Sequence, residues 1–249
     1  MSPDLKQRLF GVLYLAPIVI CVFLGQPFLG IIIGILQALM CYEMACLFGR
    51  DKTQIILYAV LFVATVLSVT FVIFMPLALS VVLMMISVLL VSWRFGILSA
   101  LFCGLVLLCL GSLSLLILLP NAASLLGGLA LIIAAGDVGA YFVGRKVGGK
   151  KLAPAISPNK TISGAIGGLG LSVVAAFLVA PYVAIISEMP ILVGVIIGVF
   201  AQAGDLFESA FKRKIGVKDS SNLIPGHGGF LDRFDGYLFV LPLVLLLAI

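Results

Sequence analysis

The sequence predicts an all-α integral membrane protein with about nine transmembrane helices, its N-terminus cytoplasmic and its C-terminus outside. Three observations support that class. Hydrophobic residues make up 63% of the 249 and charged residues only 10%, so little of the surface suits water. Apolar runs repeatedly approach the roughly 20 residues a helix needs to cross a bilayer. The basic residues, finally, fall only in alternate gaps between those runs.

In chain order the runs lie at about 9–25, 27–48, 54–75, 77–92, 95–119, 122–144, 164–187, 190–211 and 236–249. The first lacks a small-residue cleavage site and reads as a retained helix, not a removed signal peptide. The last has 14 residues, too few for a crossing, so its helix is expected to begin inside the preceding polar segment near Phe230. Lys6 and Arg8 precede the first run, Arg50 and Lys52 follow the second, and Arg94 follows the fourth. Arg145, Lys146, Lys150, Lys151 and Lys160 follow the sixth, and Lys212, Arg213, Lys214, Lys218 and Arg233 follow the eighth. All fifteen bases thus sit on one side, which the positive-inside rule makes cytoplasmic.

The net charge of +5 comes from those loops, and suits lipid head groups and nucleotide phosphates; no nucleic-acid module is visible. Cys21, Cys41, Cys46, Cys103 and Cys109 lie in apolar runs without CxxC spacing and read as packing residues.

Polarity divides the chain into 1–120, a scaffold of five spans whose one interior acid is Glu43, and 121–249, four spans with two long cytoplasmic loops. Asp137, Asp205 and Glu208 lie within apolar runs, where a lone charge costs about 2.5 to 3.5 kcal/mol at mid-span. Such acids need a partner or a site. Asp205, Glu208 and Lys212 are spaced i, i+3, i+7, on one helical face. AGDVGAYFVGRKVG at 135–148 and AGDLFESAFKRKIG at 203–216 match at a constant offset of 68, which suggests a parallel repeat with Asp137 and Asp205 facing one cavity.

The loop 145–164, RKVGGKKLAPAISPNKTISG, offers cations, Gly-Gly and the hydroxyls of Ser157 and Thr161, all able to hold phosphate. It lacks P-loop spacing, and lipid anchoring is its alternative reading. The loop 212–236 is richer. Its PGHGG, with Gly226, Gly228 and Gly229, reads as a tight turn that brings backbone close to a ligand. His227 could be a general base, a phosphate donor or a plain turn residue. If Asp205, Asp232 and Asp235 converge, they would bind a hard cation, Mg²⁺ alone or with a second one, shared with substrate phosphates. Lys and Arg around them would neutralise a triphosphate, whereas the bland alternative is salt bridging at helix ends.

The segment KRKIGVKDSSNLIPGHGGFLDRFD resembles the signature of the phosphatidate cytidylyltransferase (CDP-diacylglycerol synthase) family, S-x-x-K-R-x(4)-K-D, then PGHGG, then DRxD. Ser209, Lys212, Arg213, Lys218, Asp219, Pro225 through Gly229, Asp232, Arg233 and Asp235 match, and Ser157, Pro158, Lys160, Thr161 and Gly164 are similar to the family's SPxKTxxG. The resemblance covers roughly 137–236; it departs at Ser163, where the family often has Glu or Gln, and at Gly236, where it often has Ser. It implies cytidylyl transfer from CTP to phosphatidic acid, giving CDP-diacylglycerol and pyrophosphate at the cytoplasmic face of the inner membrane, by a protein that forms a homodimer.

On that expectation Asp205, Asp232, Lys212, Arg213, Lys218, Asp219, His227 and Arg233 are catalytic. Ser157, Lys160, Thr161, Gly226, Gly228, Gly229, Asp137 and Arg145 bind substrate, and Asp205, Asp232 and Asp235 bind metal. A CTP-dependent lipid kinase and a synthase acting on archaeol-type lipid are the neighbouring enzyme readings. A transporter is the reading from another class, but it needs openings on both faces, and the outer loops are short and nearly uncharged.

Overall fold

The protein is described by a computed structural model over residues 28–49, 52–70, 77–224 and 228–248. The expected first span, 9–25, lies outside the described residues. Helices α1 (Phe28–Phe48), α2 (Lys52–Thr70), α3 (Leu77–Phe95), α4 (Ile97–Leu116), α5 (Ala122–Val147), α6 (Ile162–Val179) and α8 (Pro190–Lys214) follow the apolar runs closely. Among the described residues, five helices are long and apolar enough to cross a membrane: α1, α4, α5, α6 with its 3-10 extension to Tyr182, and α8. The protein is all-α in character, and its helix surfaces read as those of a multi-pass membrane protein. Large apolar side chains such as Ile31, Leu89, Leu131 and Leu178 stand outward, where lipid would cover them.

Two expectations are corrected. The run 164–187 is not one helix: α6 ends at Val179, a 3-10 turn Ala180–Tyr182 carries Pro181, and a short α7 (Ala184–Ser187) follows. Proline lacks the N–H that would continue the α-helical ladder, which explains the break. The terminal helix does not run unbroken from Phe230. A single turn α9 (Leu231–Phe234) and a 3-10 turn Asp235–Tyr237 precede α10 (Val240–Ala248), whose nine residues fall well short of a crossing. Within the loop 145–164, strands β1 (Lys151–Ala153) and β2 (Ser157–Thr161) form an antiparallel hairpin.

The described chain divides into two compact units. The first joins the helices up to Leu118 with the polar segment Ile215–Phe234. Its core is built from Met40, Met44, Phe48, Phe62, Phe102, Val106 and Leu110, all fully buried. Gln37 is its internal polar tie, its Nε2 donating to the Leu110 carbonyl and to Ser114 Oγ, both at 2.9 Å. An amide buried among apolar helices must be satisfied in this way.

The second unit holds Leu119–Lys214 and Asp235–Ile249. Here α5 and α6 approach backbone to backbone through small residues. A Cβ on Gly139 would sit 2.7 Å from the Gly167 carbonyl oxygen, and one on Gly168 2.8 Å from that of Gly136. Ser172 Oγ donates to the Ile132 carbonyl at 3.3 Å across the same seam. Helix α8 also packs against α6, where a Cβ on Gly194 would meet Val173 Cα at 2.7 Å.

Candidate functional site

The second unit contains a cavity of about 700 Å³ lined by basic residues, among them Arg145, Lys151 and Lys160. Its walls are explained one element at a time. Helix α5 stops because Gly148 and Gly149 adopt φ of 65° and 101°, conformations that a side chain disfavours, and the chain reverses into the hairpin. The Gly-Gly pair is thus first a helix stop. The hairpin pairs Lys151 with Thr161 and hands the chain to α6 through Thr161, whose Oγ1 accepts from the Gly164 N–H at 3.1 Å as an N-cap. Asp137, Tyr141 and Arg145 enter from α5, Lys160 and Thr161 from β2, and Gln202 and Asp205 from α8.

Lys160 forms an ion pair with Asp205, each side chain a little over a quarter exposed. The SPNKT strand and the α8 acid, 45 residues apart in sequence, therefore meet in one cavity, with Asp137 lining it too. Ser209 Oγ donates to Asp205 Oδ1 at 3.3 Å, and Gln202 Nε2 donates to the Ala165 carbonyl at 3.1 Å, which ties α8 to α6. Arg145 Nη1 donates to Tyr141 Oη at 2.8 Å one turn back, which places a guanidinium at the cavity rim. Ser157 lies in β2 but does not line the cavity.

Asp235, in the 3-10 turn that α8 accommodates at Gly204, belongs to the same unit. Removal from water pushes its carboxyl up to about 7, and the nearby Asp205 carboxylate adds to that, with Asp137 a smaller contributor. The Gly236 N–H, donating at 2.7 Å, and Lys212 pull the other way. Lys212 and Glu208 are buried together with Nζ 3.1 Å from Oε1, so the i, i+3, i+7 face carries one cavity acid, Asp205, and one buried ion pair. Arg213 is exposed.

The other predicted residues lie in the polar segment of the first unit. Asp232 is 7% exposed and accepts from the Ser220 N–H at both oxygens, 3.0 and 2.9 Å, and from the Gly229 N–H at 2.8 Å. Gly228 has φ 80°, and a Cβ there would press on Asp232 Oδ2. Lys218, Asp219 and Arg233 are exposed, while Gly226 and His227 lie outside the described residues. Sequence reasoning left Glu43 in the scaffold, yet its carboxylate is fully buried against this same segment. The signal was present: it is the one acid in the apolar helices of the first half.

The donor set fits a hard divalent cation in chemistry. Within the second unit, Asp205 and Asp235 supply oxygen ligands close enough to influence one another. Among the described residues of each unit, no three His, Cys, Asp or Glu side chains gather tightly enough to hold a metal unaided.

Residues 6–249 match the cytidylyltransferase family. The protein named phosphatidate cytidylyltransferase in Staphylococcus aureus (strain COL) is 51% identical over 121 residues, covering 48% of this chain and 46% of that protein. Its namesake in Bacillus subtilis (strain 168) is 48% identical over 126 residues, covering 48% of this chain and 45% of the relative. The chain spans about half the length of the curated relatives it matches. With the family match running over nearly all of the sequence, the chain belongs to the cytidylyltransferase family.

Proposed function

We propose that the protein is a CTP:phosphatidate cytidylyltransferase working at the cytoplasmic face of the membrane. The observation that carries this is the cavity in which Lys160 of the SPNKT strand meets Asp205, in a chain about half of which is closely similar to proteins bearing that name. A phosphate oxygen of phosphatidic acid attacks the α-phosphorus of CTP, a new P–O bond forms, and the bond to the bridging α–β oxygen breaks. Pyrophosphate leaves with that electron pair, and CDP-diacylglycerol remains. No strong base is needed, because a phosphate monoester is already largely ionised near neutral pH.

Arg145, Lys151 and Lys160 supply charge for the phosphates in the cavity, and Arg213, Lys218 and Arg233 are the further cations assigned to the leaving group. Asp205 and Asp235, with Asp232, are the residues that would hold Mg²⁺. When bound, the ion would neutralise phosphate charge and orient the reacting groups. Asp205 also keeps Lys160 in place, and the buried Lys212–Glu208 pair fixes the exit of α8.

The test is incubation of purified protein with labelled CTP, phosphatidate and Mg²⁺. CDP-diacylglycerol and pyrophosphate are expected; release of CDP would instead identify a lipid kinase. Asp205→Asn in folded, membrane-inserted protein should abolish turnover, and near-normal activity in that variant would remove Asp205 from the mechanism.

A further inference from the structure

Glu43 lies in α1, in the half of the chain that composition marks as scaffold, and is 0% exposed. Its carboxylate accepts four hydrogen bonds from the polar segment. Oε1 takes the Ser221 hydroxyl at 2.6 Å and the Phe230 N–H at 2.9 Å, while Oε2 takes the Leu231 N–H at 2.7 Å and the Ser220 hydroxyl at 3.3 Å. The donors come from both flanks of the PGHGG motif in the sequence, residues 220–221 on one side and 230–231 on the other. One side chain therefore closes the loop at its neck.

The glycine at the end of that motif has a role in this closure. A Cβ on Gly229 would lie 2.5 Å from Oε1 and 2.7 Å from Oε2 of Glu43, and would also strike Ser220 Oγ. Gly229 is side-chain-free because the Glu43 carboxylate occupies the space a side chain would need. The same two loop residues also hold Asp232: Ser220 and Gly229 give their N–H groups to Asp232, while Ser220 gives its hydroxyl to Glu43. The two carboxylates thus share one loop backbone, and a displacement at Glu43 is transmitted to Asp232 through Ser220 and Gly229.

We propose that Glu43 is a positioning residue for the cytidylyl-transfer reaction: from the membrane helix α1 it clamps the neck of the 220–231 loop and thereby orients Asp232. This rests on the activity proposed above. Buried carboxylates that accept several backbone N–H bonds fix a loop far more tightly than neutral contacts do. Misplacing a reacting group's support by about 1 Å can cost on the order of 100-fold in rate.

The experiment uses full-length protein in detergent, with Glu43→Gln, which keeps the shape and loses one acceptor oxygen, Gly229→Ala, which pushes on the carboxylate from the other side, and Phe102→Leu as a core-weakening control. Glu43→Gln is expected to lower kcat by roughly 10- to 100-fold with the KM for CTP changed less than about 3-fold. Amide hydrogen exchange at Ser220, Phe230 and Leu231 should accelerate. Gly229→Ala should reproduce both effects, the double variant should lose little more than either single one, and Phe102→Leu should lower thermal stability without the kcat loss. If Glu43→Gln does not fold, the pair Ser220→Ala and Ser221→Ala removes half the donors and should show the same split. Normal kcat with a protected loop in Glu43→Gln, or a kcat loss equalled by Phe102→Leu, overturns the proposal. Should wild-type protein form no CDP-diacylglycerol, the activity reading fails, while loop exchange in ligand-free protein still decides whether Glu43 is the clamp.

Discussion

Gly228 and Gly229 show, at the scale of single residues, how the lack of a side chain makes room for a neighbouring carboxylate. Two glycines beside a histidine suggest backbone laid against a ligand, yet in the folded chain Gly228 leaves room for the Asp232 carboxylate and Gly229 for that of Glu43. Gly228→Ala would combine a φ of 80° with that crowding. It should cost about 1–2 kcal/mol for the left-handed backbone alone, read as a lowered melting temperature in detergent. The Lys160–Asp205 pair behaves oppositely. It is partly exposed, so Lys160→Ala should change stability by no more than about 1 kcal/mol while sharply reducing turnover, a split that thermal melts and product assays on one preparation would reveal. Ser163 and Gly236, the two departures from the family signature, both have local partners. Ser163 donates to the Gly148 carbonyl beside the helix stop, and a side chain on Gly236 would come within 3.1 Å of Ile133.

At the scale of elements, the cavity depends on α5 and α6 approaching closely enough for the SPNKT strand to reach Asp205. Gly139→Leu would insert a side chain where a single Cβ already lies 2.7 Å from a carbonyl oxygen. Overpacking of that kind costs about 1–3 kcal/mol, and here it should also reduce activity by moving the cavity walls apart. The 3-10 turn carrying Asp235 gives a pH prediction. Its carboxyl titrates near 7 in the fold against an ordinary 3.8, so between those values the folded protein keeps a proton that the unfolded chain has lost. Stability of cation-free protein should therefore fall as pH rises from about 4 through 7, and Asp235→Asn should flatten that slope in thermal melts. Added Mg²⁺ should restore stability at the alkaline end if Asp235 is a ligand.

For the whole molecule, the distribution of bases sets the expected orientation, and the hairpin tip and the α7–α8 connection should lie on opposite faces. With the five native cysteines replaced, Glu188→Cys should react with an impermeant maleimide in intact cells, and Pro154→Cys only after permeabilisation. The reverse result would invert the topology. Within the first unit, Ile215–Phe234 is grouped with the N-terminal helices, and Glu43 is bound to that segment.

Much of this was legible without coordinates, because membrane helices announce themselves by composition: in hydrocarbon every backbone group must be bonded within its own helix, so a long apolar run has few other options. Runs such as 27–48 and 190–211 became α1 and α8 nearly residue for residue. The acids and bases of the site were visible for a related reason, since charge in such a chain is costly and stands out. What the sequence could not determine was the partner of each charge. Pro181 ended a helix within a run that hydropathy alone read as unbroken, and Lys160 paired with Asp205 rather than remaining a loop cation. Glu43, alone in a scaffold by sequence, became the neck of the signature loop. A hydrogen bond is directional and fades within a fraction of an ångström, whereas hydropathy is summed over many residues. Composition therefore determined the helices, and only tertiary structure decided which polar groups meet.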